Sequence, residues 1–247
     1  DYIQVDETTI PVLTKDKPGS THKGYFWAGH SPPKKIAFFL YDKSRAAKVP
    51  KEFLSDFEGA VQCDAYAGYN FLNEPDWAKK TIKLGCFAHC RRYFEKSLSG
   101  EPENAKEIML AIQKLYQVER IARNHKLSHG QIKDLRQRFS VKILDAIHTR
   151  LKEHLPHILP KRDWGKAIQY ALRNWDELCR YTENGKWNID NNTIENNIRP
   201  VALGRRNFLF AGSHDAAQRS AMIYTFMATC KINNVNPYEW LKWVMVT

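Results

Sequence analysis

The hydrophobic period of this 247-residue chain changes once, at about Phe87, and that change constrains the fold more than any other feature. Upstream of it, apolar residues alternate in short runs bounded by turn residues. Tyr2–Asp6, Gly24–Gly29, Lys35–Tyr41, Ala60–Cys63 and Thr81–Cys86 predict five strands. A polar turn over residues 15–23, with Pro18-Gly19, follows the first strand. The Ser31-Pro32-Pro33 turn joins the second and third as an antiparallel hairpin, which makes the first three strands a meander. Pro50 suits the first turn of a helix that buries Phe53, Leu54 and Phe57 and stops at Gly59.

Downstream the period is 3.6. Ile108, Ile112, Leu115 and Val118 mark one helix. Leu135, Phe139, Ile143, Ile147 and Leu151 mark a second, opened by a Ser128-x-x-Gln131 capping box. Trp164, Ile168, Leu172 (or Ala171), Trp175 and Leu178 mark a third, with Trp164 and Trp175 read as core; Pro156 and Pro160 separate it from the second. Asn184-Gly185 closes the block with a turn. The chain therefore divides into a sheet-forming part, residues 1–94 with 187–247, and an all-helical insertion over 95–186. Ser213 caps a further helix, and Asn236-Pro237-x-Glu239 opens the last one.

Two of the strands end in an acid: Asp6 closes the first, and Asp64 follows the fourth at once. Taken singly, Asp6 reads as a strand-end cap with Glu7 as an equally charged rival, and Asp64 as an Asx-turn opening the loop to Gly68. In a sheet ordered 3-2-1-4-5, however, strands one and four are parallel neighbours and the two aspartates lie side by side. Carboxylates that close repel each other, and one stays protonated unless cations neutralise the pair. Two divalent ions ~4 Å apart do so, and hard oxygen ligands suit Mg²⁺ or Mn²⁺. Glu195 is the candidate third ligand. It lies in what reads as a short polar helix, with Ile194 and Ile198 on one face and Glu195 and Arg199 on the next. The plainer alternative is a capping box with Asn192 as N-cap and Glu195 reaching back to it.

The net charge of +11, from 38 basic and 27 acidic residues, suits a polyanion partner, nucleic acid or an anionic membrane. No apolar run approaches the ~20 residues of a membrane span, and no signal peptide opens the chain. The chain starts at Asp1 in a strand pattern and ends in a helical one, which reads as a fragment of a longer protein. Five cysteines, at positions 63, 86, 90, 179 and 230, sit in apolar patterns and imply reduced thiols in a cytosolic protein. Cys86-x-x-His89-Cys90 offers three ligands on one helical face. A structural zinc site takes four and no paired cluster follows, so these read as buried thiols beside a hydrogen-bonded histidine. Arg91, Arg92, Arg199, Arg205 and Arg206 are candidate phosphate contacts.

Val5-Asp6-Glu7-Thr8-Thr9, residues Gln62 to Tyr69, Gly85 to Arg92 and above all Ile189 to Ser213 resemble transposases of the insertion-sequence-66 family. Cys230-Lys-x-Asn233 with Asn236-Pro-Tyr-Glu-Trp-Leu241 is similar to that family's C-terminal motif. The resemblance implies an α/β, ribonuclease-H-like fold: a mixed five-stranded sheet flanked by helices, with an all-helical insertion between the fifth strand and the glutamate-bearing helix. It implies an Asp-Asp-Glu triad of Asp6, Asp64 and Glu195, serving as both catalytic residues and ligands of two Mg²⁺ or Mn²⁺ ions. The implied activity is cleavage at transposon ends and transfer of a 3′-hydroxyl into target DNA, by a homo-oligomer in the bacterial cytosol or nucleoid. Alternatives on the same fold are a nuclease or resolvase, or a non-catalytic DNA-binding module of transposase descent. The family's upstream leucine-zipper-like and zinc-binding segments have no counterpart here.

Overall fold

A computed structural model describes residues 1–14 and 19–246; of the 15–23 turn, residues 15–18 lie outside the described residues. In chain order the elements are β1 (Tyr2–Leu13), β2 (Thr21–Ser31), β3 (Ile36–Asp42), α1 (Lys48–Phe53), β4 (Gly59–Gln62), α2 (Pro75–Ala78), β5 (Thr81–Leu84) and α3 (Phe87–Ser97). They continue as α4 (Pro102–Asn124), α5 (His129–Leu135), α6 (Val141–His154), α7 (Asp163–Arg173), α8 (Trp175–Cys179), α9 (Asn192–Phe208), α10 (His214–Ile232) and α11 (Pro237–Val246). The strands form one mixed sheet ordered β3-β2-β1-β4-β5. β1–β2 and β2–β3 are antiparallel, and β1–β4 is parallel. The fold is thus α/β with a five-stranded sheet flanked by helices, compatible with a ribonuclease-H-like architecture. Two compact units divide the chain, Asp1–Ile82 with Asn192–Thr247, and Lys83–Asn191.

In the first unit the strand alternation sorts β1 into two faces. Even-numbered Ile10 and Val12 join Phe26, Ala28 and Phe39 beneath Ile194, Ile198 and Val201 of α9 and Ala217 and Ala221 of α10. Odd-numbered Ile3 and Val5 join Trp27, Val61, Leu54, Tyr69 and Leu72 on the other side. β1 runs seven residues beyond Asp6, to Leu13, because β2 pairs with it from Gln4↔His30 to Leu13↔Thr21.

α9 is longer than a short polar helix. It continues for 17 residues with Pro200 inside it. The proline forfeits one ladder bond, but the buried stripe of Ile194, Ile198 and Val201 docks the helix on the sheet. The segment after it returns to β1, where Ala211 N–H donates to Pro11 O at 2.8 Å and Leu13 N–H donates to Ala211 O at 2.9 Å. α10 is capped by Ser213, whose Oγ accepts from Ala216 N–H at 3.0 Å. It turns small residues to the sheet, so that its threonines reach β3: Phe39 N–H donates to Thr225 Oγ1 at 2.8 Å and Ala37 N–H to Thr229 Oγ1 at 3.2 Å. These hydroxyls satisfy backbone groups that an edge strand otherwise leaves to solvent or to another chain. The larger Met222, Ile223 and Phe226 stay exposed, and Phe226 stacks on Trp240 of α11 with ring centroids 5.0 Å apart.

In the second unit α4 buries the stripe expected of it, Ile108, Ile112, Leu115 and Val118. The Ser128–Gln131 capping box is present in both directions. The stripe over 135–151 is corrected. A π-helical turn at Arg136–Ser140 adds a residue to the repeat, so the phase slips and the buried set becomes Arg136, Ser140, Leu144, Ile147 and Leu151. Phe139 is left 45% exposed. Arg136 replaces it inside because its charge is matched. Nε and Nη2 donate to the two oxygens of Glu119 at 2.8 and 2.6 Å, and Nη1 donates to the carbonyls of Tyr181 and Asn184.

The slipped phase has a measurable consequence. In urea unfolding, Phe139→Ser should cost less than ~1 kcal/mol, the scale of a surface change, whereas Leu144→Ala should cost ~2–5 kcal/mol. Equal losses would contradict the phase described here.

Candidate functional site

The parallel pairing of β1 with β4 sets up the site. Its register runs Tyr2↔Ala60, Ile3↔Val61, Gln4↔Gln62. Continuing that register by two residues sets Asp6, within β1, level with Asp64, just past the end of β4. Just below them the buried pair Gln4 and Gln62 is tied together: Gln4 Nε2 donates to Gln62 Oε1 at 2.9 Å, and Tyr2 Oη donates to the same oxygen at 2.5 Å.

Alternation then assigns the faces. Asp6 shares its parity with Ile10 and Val12 and lies on the side where α9 packs. Glu195 follows the buried Ile194 on that helix and is itself half-buried. Glu7 falls on the opposite face. There its Oε1 accepts from Arg45 Nε and Nη2 at 2.8 and 2.5 Å, and its Oε2 accepts from Tyr69 Oη at 2.9 Å. The two neighbouring acids therefore have different surroundings: Glu7 is ion-paired, and Asp6 faces other carboxylates.

The electrostatics reflect this. Burial pushes the Asp6 carboxyl up to about 8, the charges of Glu7 and Asp64 push it the same way, and Glu195 adds to them. The opposing influence is the backbone N–H of Glu7, which donates to Asp6 Oδ1 at 2.8 Å. Burial also raises Glu7, and the bonds from Arg45 and Tyr69 oppose the rise. Asp64 does form the Asx-turn considered for it, its Oδ1 accepting from Tyr66 N–H at 3.0 Å. Asp6, Asp64 and Glu195 are thus brought into one charge-coupled neighbourhood. Among the described residues, no group of three or more His, Cys, Asp or Glu side chains is arranged to hold a metal ion as the structure stands.

The arginines divide. Arg199 and Arg206 are exposed on α9. Arg205, on the same helix, donates from Nη1 to the carbonyl and, at 2.6 Å, the hydroxyl of Thr9, which fixes α9 to β1. In the helical unit Arg91 pairs with Glu95 at 3.4 Å, and Arg92 Nη1 lies 3.3 Å from His89 Nε2. Cys86 and Cys90 of that unit are buried reduced thiols; burial pushes Cys86 up to about 12 and Cys90 higher still. The sequence reading missed Arg45, Tyr66 and Tyr69. Arg45 lies in a short polar loop with no period to mark it, and the two tyrosines belong to a strand-end loop that carries the family resemblance without pointing to a role for either.

The family model described as "Transposase IS66 family" matches residues 1–219. "Uncharacterized protein y4qI" of Sinorhizobium fredii is 32% identical over 250 residues, covering 96% of this chain and 46% of the relative. "Uncharacterized protein y4jD" of the same organism is 30% identical over 220 residues, covering 87% and 42%. The chain spans about half the length of these curated relatives. Among the described residues no helix is long and apolar enough to cross a membrane.

Because Asp6 has an ordinary value near 3.8 and a folded value of about 8, the folded state holds a proton between these limits that the unfolded state has lost. Its contribution is therefore most favourable below pH ~4 and is lost as pH rises to ~8. Melting temperatures in EDTA should show Asp6→Asn gaining on wild type across that window and levelling above it. A pH-independent difference would show that Asp6 is not held in this state.

Proposed function

The chain belongs to the IS66 family of transposases, and on that premise we propose that its sheet-bearing unit is the catalytic core of a DNA transposase. The proposed activity is divalent-metal-dependent phosphodiester cleavage at transposon ends, followed by strand transfer into target DNA by a 3′-hydroxyl. The observation that carries the proposal is the coupling of Asp6 with Asp64 and Glu195 beside the end of β4, where burial and like charge raise Asp6 to about 8.

The donor set fits a hard divalent cation: three carboxylates whose mutual repulsion a cation removes. Asp6 and Asp64 would hold Mg²⁺ or Mn²⁺ from adjacent strands, and Glu195 would close the site from α9. Two such ions, when bound, would supply polarisation of the phosphoryl oxygen and would stabilise the attacking and leaving oxygens of an in-line displacement. The chain's own part is to bring three acids to one edge, to release the Asp6 proton as metal binds, and to fix α9 through Arg205 and Thr9. Arg199 and Arg206, exposed on that helix, would contact DNA phosphates, as would Arg91 and Arg92 on the helical unit. The insertion over 95–186 would hold DNA or a partner subunit in a homo-oligomeric complex.

A non-catalytic DNA-binding module is the competing possibility, favoured by the lack of a preformed three-ligand group among the described residues. The two separate on Glu195→Gln. Glutamine satisfies a capping box as well as glutamate does, so a structural Glu195 predicts near-normal behaviour. A metal ligand predicts loss of Mg²⁺- or Mn²⁺-dependent cleavage of transposon-end DNA by ~100-fold or more, the scale of removing a group that acts on transition-state charge. Circular dichroism should stay unchanged. Near-normal cleavage by the folded variant would remove Glu195 from the site.

A further inference from the structure

Opposite α9, on the other face of β1, one cation is held beside the acidic cluster by contacts that leave part of it unused. Arg45 lies in the loop between β3 and α1. Its Nε and one Nη2 hydrogen go to a single oxygen of Glu7. Its guanidinium lies over the Tyr66 ring, 3.9 Å from the centroid. Tyr66 Oη in turn donates to the backbone carbonyl of Arg45 at 2.5 Å, which fixes the loop to the ring it stacks on. Tyr66 and Tyr69 belong to the segment that follows Asp64, and Tyr69 occupies the remaining oxygen of Glu7. Arg45 is therefore immobilised against the segment that follows Asp64, within range of that residue's charge.

A guanidinium carries five N–H donors. Glu7 takes two, and no hydrogen bond to the remaining three, on Nη1 and Nη2, is found among the described residues. The Arg45 side chain is 44% exposed while that of Glu7 is 2% exposed, so the ion pair is open on the arginine side only. If Arg45 served only to neutralise Glu7, neither the stack on Tyr66 nor the outward edge would be needed. A planar fork, already ordered and with an open edge, suits a tetrahedral oxyanion with little further entropy loss. It also answers a difficulty of the site: phosphates must approach a neighbourhood that holds Asp6, Glu7, Asp64 and Glu195.

We propose that Arg45 binds a backbone phosphate of the DNA strand entering the acidic site, with Glu7 and Tyr66 as the residues that position it. This deepens, and rests on, the assignment of the acidic cluster as the DNA-cleaving site.

The test is an equilibrium one and needs no cleavage. A short mixed-sequence DNA duplex is titrated with the protein in EDTA over a series of salt concentrations, by fluorescence anisotropy. The comparison is wild type against the double variant Glu7→Gln with Arg45→Gln, which removes the pair and leaves the net charge unchanged. Each phosphate neutralised contributes about 0.9 to the slope of log K against log salt. The double variant should therefore lose about that much slope, with weaker binding at every salt. A slope equal to wild type would reduce Arg45 to a counterion and overturn the proposal while leaving the assignment of the acidic site standing. Wild-type protein that fails to bind DNA in a salt-dependent way would overturn both. A second measurement uses wild type alone: phenylglyoxal modification of Arg45, read by peptide mass spectrometry. DNA should suppress it, and modification at an unchanged rate would also overturn the proposal.

Discussion

The parallel contact between β1 and β4 governs the rest of the sheet-bearing unit. It is short, running only from Tyr2↔Ala60 to Gln4↔Gln62, yet it decides what stands at the strand ends. A slip of one residue would carry each β4 side chain to the other face and separate Asp64 from Asp6. Apolar packing alone would resist such a slip weakly, since Ala60 and Val61 are small. The Tyr2–Gln4–Gln62 hydrogen bonds add specificity, because a slipped register would leave buried amides without partners. A polar network in a place where aliphatic side chains would pack well makes sense as a register lock one step below the acids.

The acids themselves work against folding. Burial and like charge raise Asp6 to about 8, so the folded protein keeps a proton there that free aspartate would give up. The contrast with Glu7 is instructive because the two residues are adjacent in sequence. Strand alternation sends Glu7 to the face of Arg45 and Tyr69, where its charge is met, and sends Asp6 to the face of α9, where it is not. A single helical or loop segment could not separate two neighbouring carboxylates so completely. A buried carboxyl that keeps its proton beside other acids has an energetic cost that the surrounding core carries.

Much of this was legible in the sequence. Alternation marked all five strands, and the acids after the first and fourth apolar runs stood out, although β1 continues past Asp6 to Leu13. Choosing between Asp6 and Glu7 as the outlying acid needed the parity of β1, which became certain only once Ile10 and Val12 were seen opposite Ile194 and Ile198. The length of α9 was hidden by Pro200, a residue that argues for a helix end and is overruled here by tertiary docking. Phe139 was misplaced because a π turn inserts one residue without any composition signal, and because Arg136 gains a buried place through Glu119, 17 residues away, and the carbonyls of Tyr181 and Asn184. Arg45 was invisible for a related reason. Its significance comes from partners at positions 7 and 66, and no local pattern relates them.

The unit that holds the acids is discontinuous, closing with residues 192–247. During synthesis, Phe26, Phe39 and Ala28 emerge early, but the residues that cover them, Ile194, Ile198, Val201 and Ala217, come roughly 150 positions later. At ~5–20 residues per second the nascent sheet waits on the order of ten to thirty seconds with one apolar face uncovered. The order of translation thus makes Glu195 arrive on the same helix that buries this face. A ribosome-bound or truncated chain lacks both Glu195 and the helix that finishes this core, so the acidic cluster and the apolar face are completed in one event.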